Sequence, residues 1–274
     1  MTSPGIAFDF ADIDPINKGF KQVVKGEFDV AELAIMTYMQ AKGWGRPLVA
    51  LPVVLHGRFQ YGQICYNAER GILKPEDLPG RRVGVRTYPQ TTPTWVRGIL
   101  QNEFGVDLNC INWVTAEDGH VPEFKDPPNA KRAPAGKSML TMLLEGELDA
   151  AILSGAEVKK SPQLKPLIPN AKGAGADWYK KNGTIQVNHI FVVKEDLVKS
   201  NPQVVKDIFR LFVESKKAAA EPLDADGIDY RPIGYSAVRK NFEMAAEYAW
   251  QQRLMPRHLG MDELFDETTR ALEA

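Results

Sequence analysis

Short apolar runs alternate with amphipathic stretches along most of the 274-residue chain. The runs "LVALPVVL", "RRVGV", "CINWVTA", "LDAAILSG" and "HIFVVKEDL" predict strands, and so do "GIAFDFADI", "DVAELAI" and "GQICYNA". Helical periodicity predicts helices in "PINKGFKQVVKGEF", after "DVAELAI" up to about Gly43, in residues 93–104 and in "MLTMLLEG". Strands that alternate with helices indicate an α/β fold with mostly parallel sheets.

The C-terminal part is predicted to be helical. Ser200 or Asn201 can cap a helix that has Pro202 in its first turn and runs to about Ala220. Further helices fit residues 235–253 and 262–274.

Two distant segments share one pattern. "VVKGEFDVAELA" and "MLLEGELDAAILS" each combine an apolar helix end, a glycine, a glutamate, an apolar residue, an aspartate and then a strand. Gly26 and Gly146 occupy the position of a left-handed helix cap, and Asp29 and Asp149 lead into the strands. A chance similarity is one explanation. Two similarly built lobes are the preferred one, because the separation is about the length of a small α/β domain.

The segment of residues 124–137, "FKDPPNAKRAPAGK", interrupts this pattern because it has no apolar period. An exposed loop is the favoured interpretation, and a lid or a subunit contact is the alternative.

The composition narrows the class of protein. A formal net charge of −1 gives no reason to expect a nucleic acid partner, and no apolar stretch is long enough to span a membrane. Cys65 and Cys110 are the only cysteines, so no disulfide framework is expected and a reducing compartment is the default. The first residues do not resemble a secretion signal. We therefore expect a cytoplasmic location, or a periplasmic one if a leader precedes this chain.

The turn between "RRVGV" and the following helix is the first candidate for a binding site. Thr91 or Thr92 can cap the helix, with Pro93 as its first residue, and the helix N-terminus then favours an anion. This turn has no glycine, so it does not fit a phosphate cradle. With Tyr88 and Trp95 beside it, it fits an aromatic or aliphatic carboxylate. The alternative is an ordinary capped helix with Trp95 in the core.

Arginine side chains can supply paired hydrogen bonds to such a carboxylate. Arg58 lies in the turn "HGRFQYG" after a buried strand, and Arg86 lies at a strand end. Arg97 lies on the predicted helix, where a solvated face is the expected location.

Histidines supply the candidates for proton transfer. His56 and His120 follow strands, and His189 begins the late strand. "TAEDGH" combines Glu117, Asp118 and His120, which fits either a metal site or an acid–base cluster, and the spacing decides for neither. Neither a zinc pattern, nor a P-loop, nor a dinucleotide fingerprint is found in the sequence. These residues indicate a two-lobed protein that binds a small carboxylate.

Several motifs together resemble the 4,5-dihydroxyphthalate decarboxylase family, whose members are related to type II periplasmic solute-binding proteins. The motifs are "FDVAEL", "DLPGRRVGV", the string Tyr-x-x-Thr-x-x-x-Trp-Val-Arg-Gly-Ile-Leu, "WV" before an acidic cluster, and "NHIFVVKEDLVKSNPQVV". The resemblance covers residues 5 to 220 or so. In the turn "HGRFQYGQ" the chain has Gln60 and Tyr61 where the family pattern has a basic residue and a histidine.

The resemblance implies a type II periplasmic-binding-protein-like α/β fold with the ligand cleft between two lobes. Lobe I is expected to be discontinuous, with residues 1–68 and 187–274, and lobe II to comprise residues 69–186. The implied activity is decarboxylation of a hydroxylated aromatic carboxylate without a cofactor, and the metal dependence stays open. A solute-binding protein that traps a small carboxylate without chemistry is the alternative. The oligomeric state, including a homo-oligomer, stays open.

The same resemblance suggests roles for the candidate residues. Arg58 and the helix end at Thr91 and Thr92 would bind the carboxylate, and His189, or otherwise His120, would be the acid. The remaining substrate-binding candidates would line the ligand: His56, Tyr61, Arg86, Tyr88 and Trp95.

Overall fold

The computed structural model describes residues 5–220, 223 and 226–274. Within them the chain forms nine strands and eleven α-helices. The strands are β1 (Val30–Ala34), β2 (Leu48–Gly57), β3 (Ile64–Asn67), β4 (Arg82–Val85), β5 (Asn112–Thr115), β6 (Ala130–Arg132), β7 (Ala150–Ile152), β8 (Leu164–Pro166) and β9 (Val187–Lys194). The helices are α1 (Phe20–Val24), α2 (Ile35–Gly43), α3 (Thr91–Phe104), α4 (Met139–Glu145), α5 (Gly155–Lys159), α6 (Ala171–Asn182), α7 (Glu195–Ser200), α8 (Pro202–Ala219), α9 (Tyr235–Gln251), α10 (Met261–Leu264) and α11 (Glu267–Arg270).

The chain divides into two compact units, one discontinuous and one continuous. The first comprises Met1–Arg58 with Thr184–Ala274, and the second comprises Phe59–Gly183. The chain passes between them at 58/59 and 183/184, whereas the sequence suggested 68/69 and 186/187. The difference arises because β3 pairs with β7 and β8 of the second unit.

The first unit contains a three-stranded sheet in the order β1-β9-β2. The expectation of mostly parallel sheets is wrong here, since β9 runs antiparallel to both of its neighbours. The connection β1–α2–β2 has the pattern of a parallel crossover, but the late strand β9 lies between its two strands. Apolar residues of β2, β9 and α8 pack into one core, including Val49, Val193 and Phe209.

The second unit contains a six-stranded sheet in the order β6-β5-β4-β7-β3-β8. Strands β6, β5, β4 and β7 pair in parallel, as expected for strands that alternate with helices. Strand β3 is antiparallel to both β7 and β8. The core includes Met142, Leu143 and Leu148 from α4 and the segment that follows it.

The two similar segments have similar backbones. Gly26 and Gly146 follow α1 and α4 with φ of 74° and 81°, which confirms the left-handed conformation. Asp29 precedes β1, and its carboxylate accepts a hydrogen bond from Lys194 Nζ at 3.0 Å. Asp149 precedes β7, and its carboxylate accepts one from Arg82 Nε at 3.1 Å. Each aspartate therefore pairs with a basic residue of a neighbouring strand.

The helix predicted after Asn201 is confirmed. The Asn201 side chain accepts a hydrogen bond from the backbone N–H of Val204, and α8 ends at Ala219. The helix predicted over residues 262–274 is wrong. Two short helices, α10 and α11, form instead, because the Asp266 side chain caps a new helix start by accepting the N–H of Thr269 at 2.8 Å.

Two further predictions need correction. The strand predicted in "GIAFDFADI" does not form over residues 7–13, where Phe10 is 85% exposed. Residues 124–137 are not simply an exposed loop, because they contribute β6, which extends the sheet next to β5. The Asn129 side chain anchors this segment by donating to the carbonyl oxygens of Leu108 and Ile111 at 3.0 and 2.9 Å.

None of the helices in the described part of the chain combines the length and the hydropathy required to cross a bilayer.

Candidate active site

Strands β1, β9 and β2 bring three titratable side chains into one row. His189 on β9 is the cross-strand partner of Ala34 on β1 and of His56 on β2. Glu32 lies two residues before Ala34, so it has the same sheet face as Ala34. Its carboxylate forms a short hydrogen bond with Nδ1 of His189. The two side chains are 26% and 25% exposed, so the pair is accessible to a small molecule.

This pair has the arrangement of an oriented acid or base. Because Nδ1 of His189 is bound to Glu32, Nε2 is the ring nitrogen left to exchange a proton with a ligand. Phe20 packs with its ring perpendicular to the imidazole, at a centroid distance of 5.5 Å, and supports its orientation. A carboxylate and an aromatic side chain thus fix the histidine from two elements.

His56 is the second histidine of the row. Its ring centroid lies 6.3 Å from that of His189, and the two rings are nearly perpendicular. Partial shielding of the otherwise exposed His56 ring from water lowers its pKa, and the basic groups Arg58, His189 and Arg231 lower it further, against the opposing effect of Glu32. His56 is therefore neutral at pH 7, where it can accept a proton.

Arg58 is positioned directly after β2. Its backbone N–H donates to the carbonyl oxygen of Gln186 at 3.1 Å, which fixes this chain segment against the start of β9. The side chain is half-buried, and burial lowers the pKa of the guanidinium without discharging it at neutral pH. Gly57 is required between His56 and Arg58, since a Cβ there would lie 2.8 Å from the carbonyl oxygen of Tyr230.

Glu32 was missed by the sequence analysis. The available signal was a carboxylate within the otherwise apolar strand "VAELA". An acidic residue inside a short, partly buried strand favours a charged or hydrogen-bonding partner, but the sequence does not show that this partner is His189.

The remaining candidates lie in the second unit, beginning with the N-terminus of α3. The expectation that Thr91 or Thr92 caps this helix is wrong. Gln90 is the N-cap residue, and its carbonyl oxygen accepts hydrogen bonds from both N and Oγ1 of Thr94 at 3.0 and 2.9 Å. Thr91 is 3% exposed and Thr92 is half-buried, both in the first turn. Their role in binding a carboxylate stays a prediction.

Aromatic residues around α3 form a closed core. Trp95 is fully buried with its ring edge against Trp178, in agreement with the alternative interpretation. Tyr88 is 5% exposed and stacks on Phe124. Neither ring has a substantial exposed surface for a ligand in this structure.

The expectation that Arg97 lies on a solvated face is wrong. The side chain is fully buried, and its guanidinium carbon lies 3.9 Å from the centroid of the Tyr88 ring and 5.5 Å from that of Trp113. Its Nη2 donates to Thr94 Oγ1 at 3.3 Å. Burial lowers the pKa of Arg97, while Tyr88 and Asp126 oppose that effect.

The acidic cluster after β5 consists of ion pairs. Arg86 approaches Glu117 at 3.9 Å, and Arg132 binds Asp118. His120 is half-buried in the same loop. Over the described residues, no set of three histidine, cysteine or acidic side chains is placed to bind a metal ion. The arrangement favours charge pairing over the metal interpretation of this cluster.

Tyr61 belongs to the second unit, whereas the histidine row belongs to the first. Its side chain is 1% exposed and its hydroxyl donates to Oε1 of Glu103 on α3 at 2.6 Å. This contact ties the turn after β2 to α3. Tyr61 is thus held by the carboxylate of Glu103, and its assignment to the substrate stays a prediction.

No protein-family model matches the chain. The chain is 28% identical to a 4,5-dihydroxyphthalate decarboxylase from Comamonas testosteroni over 223 residues, which are 75% of this chain and 66% of that protein. It is 30% identical to a 4,5-dihydroxyphthalate decarboxylase from Pseudomonas putida over 178 residues, which are 61% of this chain and 69% of that protein. The chain therefore spans about two thirds of the length of these curated relatives.

Solved structures show the same fold at low identity. The periplasmic aliphatic sulphonate binding protein SsuA from Escherichia coli matches with a TM-score of 0.56 and 14% identity, over 91% of this chain and 78% of that chain. The desulfurization enzyme DSZB matches with a TM-score of 0.52 and 12% identity, over 93% and 92%. These likenesses establish a type II periplasmic-binding-protein-like fold. With the identity to the Pseudomonas protein over most of its length, the chain belongs to the 4,5-dihydroxyphthalate decarboxylase family.

Proposed function

We propose that this protein is a carboxy-lyase that removes one carboxylate from a hydroxylated aromatic acid of the 4,5-dihydroxyphthalate type. The observation that carries the proposal is the Glu32–His189 pair, a histidine oriented by a carboxylate in the first unit. The names of the two curated relatives support the reaction class.

The reaction requires a proton at the ring carbon that bears the leaving carboxylate. In 4,5-dihydroxyphthalate a hydroxyl group lies para to that carbon, and its electrons make the carbon basic enough to be protonated. The C–C bond to the carboxylate then breaks, its electron pair restores the aromatic ring, and carbon dioxide leaves. The net change is uptake of one proton and release of carbon dioxide, with 3,4-dihydroxybenzoate as the product. A positioned proton donor is the main catalytic requirement.

His189 and Arg58 are the residues proposed for these tasks. His189 delivers the proton from Nε2 because its Nδ1 is bound to Glu32. Arg58 holds a carboxylate through the planar donors of its guanidinium. Its half-buried position strengthens this interaction, because charges attract more strongly where water is partly excluded.

A solute-binding protein without catalysis is the second candidate. The fold does not separate the two functions, since both a sulphonate-binding protein and a desulfurization enzyme share it. A binding protein has no need for a histidine oriented by a carboxylate, and this feature favours the enzyme.

The test is to incubate the purified protein with 4,5-dihydroxyphthalate and to measure both carbon dioxide and 3,4-dihydroxybenzoate. We expect turnover by the wild type and a loss of about 100-fold or more in kcat for His189→Asn. His258→Asn is the matched control. His258 lies outside the histidine row, with its Nε2 3.4 Å from a carboxylate oxygen of Glu247 on α9. Calorimetric binding of the substrate without product formation would replace the enzyme by the solute-binding alternative.

A further inference from the structure

We propose that His56 is the general base of this reaction, accepting the proton of the ring hydroxyl that lies para to the leaving carboxylate. His189 is then the acid and His56 the base of one two-histidine site. This inference rests on the proposed function and adds a catalytic residue to it.

The sheet register provides the geometry. His56 and His189 are direct cross-strand partners on β2 and β9, with ring centroids 6.3 Å apart and an angle of 79° between the rings. At this separation the two imidazoles can address two positions of one benzene ring. His56 is exposed and His189 is one quarter exposed, so both can reach a small molecule.

The two histidines have different charged neighbours. The Glu32 carboxylate binds His189 directly. The groups that face His56 are Arg58 from its own segment, Arg231 from the segment before α9, His189 from β9 and Glu32 from β1. Partial shielding from water and the three basic groups lower the pKa of His56 and keep it neutral at pH 7, as a base must be. Two titratable groups in contrasting environments are the usual basis of a division into acid and base.

The proposed step balances as follows. His56 takes the hydroxyl proton, the oxygen electron pair forms a carbonyl, and the ring carbon bearing the carboxylate takes a proton from His189. The C–C bond to the carboxylate breaks, its electron pair restores the ring, and the oxygen recovers its proton from His56. His189 is reprotonated by solvent, which supplies the one proton that the reaction consumes.

The test combines a variant with a modified substrate. His56→Asn should lower kcat by about 100-fold with a change in KM of less than about 3-fold, because a general base acts in the transition state. Wild-type kcat should fall at acidic pH as His56 becomes protonated, and the variant should lack this fall. A fluorinated 4,5-dihydroxyphthalate has a more acidic hydroxyl and needs less help from a base, so it should restore most of the lost rate in His56→Asn but not in His189→Asn.

The controls separate this inference from the function on which it depends. His258→Asn should keep the wild-type rate and pH profile. If the wild type turns over and His56→Asn keeps its rate, or if fluorination restores nothing, His56 is not the base and the decarboxylase function stands. If the wild type shows no turnover, both proposals fail. If His56→Asn does not fold, the wild-type protein alone provides the test. Its decline in kcat at acidic pH must then be weaker with the fluorinated substrate than with 4,5-dihydroxyphthalate, and an equal decline would show that His56 is not the base.

Discussion

The carboxylate of Glu32 on β1 hydrogen-bonds to Nδ1 of His189 on β9, across two antiparallel strands of the first unit. The two residues are separated by 157 positions in the chain. Both side chains are about one quarter exposed, so the contact is partly shielded from water and still accessible to a ligand. The orientation of the His189 ring therefore depends on the pairing of β1 with β9 in the sheet.

Replacing Glu32 by glutamine tests that orientation. Glu32→Gln keeps the size of the side chain but replaces the charged acceptor by a neutral amide, so the hydrogen bond that orients the His189 ring is weaker. We expect kcat to fall by about 10- to 100-fold with little change in KM, the usual range for a residue that orients a functional histidine. Steady-state kinetics provide the measurement. Glu247→Gln, beside His258, is the matched control and should leave kcat unchanged.

Tyr61 should stabilise the second unit through Glu103. Burial raises the pKa of Glu103, and the hydrogen bond from Tyr61 opposes this effect. Tyr61→Phe removes the donor, so the pKa of Glu103 should rise further. When folding raises the pKa of a carboxyl group, the folded protein loses stability as the pH rises and that group ionises. The cost of Tyr61→Phe should therefore be small near about pH 4 and larger at pH 7.

At pH 7 we expect Tyr61→Phe to lower the free energy of unfolding by about 0.5–1 kcal/mol, a modest value because the Glu103 side chain is exposed to water; urea denaturation provides the measurement. Tyr66→Phe on β3 of the same unit is the control. An equal loss at both pH values would show that the hydrogen bond to the carboxylate is not the source of the effect.

Asp29 and Asp149, which precede β1 and β7, should differ in their contribution to the stability of the folded protein. Partial burial raises the pKa of Asp149, but its hydrogen bonds from the backbone N–H and side chain of Arg82 outweigh this, and the net pKa is lowered. When folding lowers the pKa of an aspartate, the ionised group stabilises the folded protein at pH values above the ordinary aspartate pKa of about 3.9. This stabilisation is lost as the pH falls through the lower pKa of the folded state.

Asp149→Asn should therefore cost about 1 kcal/mol at pH 7, allowing for partial exposure, and progressively less below about pH 4. Asp29→Asn is the matched substitution in the first unit, where the side chain is 75% exposed, and it should cost less than about 0.5 kcal/mol. Equal costs, measured by denaturation as a function of pH, would contradict this account.

Arg97 allows a test of what a buried guanidinium does in the second unit. Arg97→Lys keeps a buried positive charge but loses the planar stacking on Tyr88, and we expect a loss of about 2 kcal/mol or more. Arg97→Met removes the charge and its desolvation cost while filling a similar volume, so it should be less destabilising than Arg97→Lys. Urea denaturation of both variants gives the comparison, and the reverse order would show that the charge itself stabilises the unit.

Local physical chemistry explains which elements the sequence predicted. The apolar runs of β2, β4 and β5, and the periodic residues of α3 and α8, identify these elements because burial on one face follows the period of a helix or strand. The cap at Asn201 and the left-handed glycines Gly26 and Gly146 depend only on neighbouring residues. The motifs that resemble the decarboxylase family are also continuous stretches of the chain, which the sequence shows directly.

The contacts between residues that are distant in the sequence are determined by the tertiary structure. Hydrophobic pattern shows that a strand is buried but not which strand is its partner, so the insertion of β9 between β1 and β2 was not predicted. That insertion unites Glu32, His189 and His56, and Glu32 was missed for this reason. Likewise Arg97 has the sequence context of an exposed helix position, and only the rings of Tyr88 and Trp113 packed over it make it part of the core. Local sequence determines the helices and strands of this protein, because their periodicity depends on neighbouring residues. Its candidate site is determined by the pairing of strands that are distant in the chain, because periodicity within one segment does not show which distant segment will contact it.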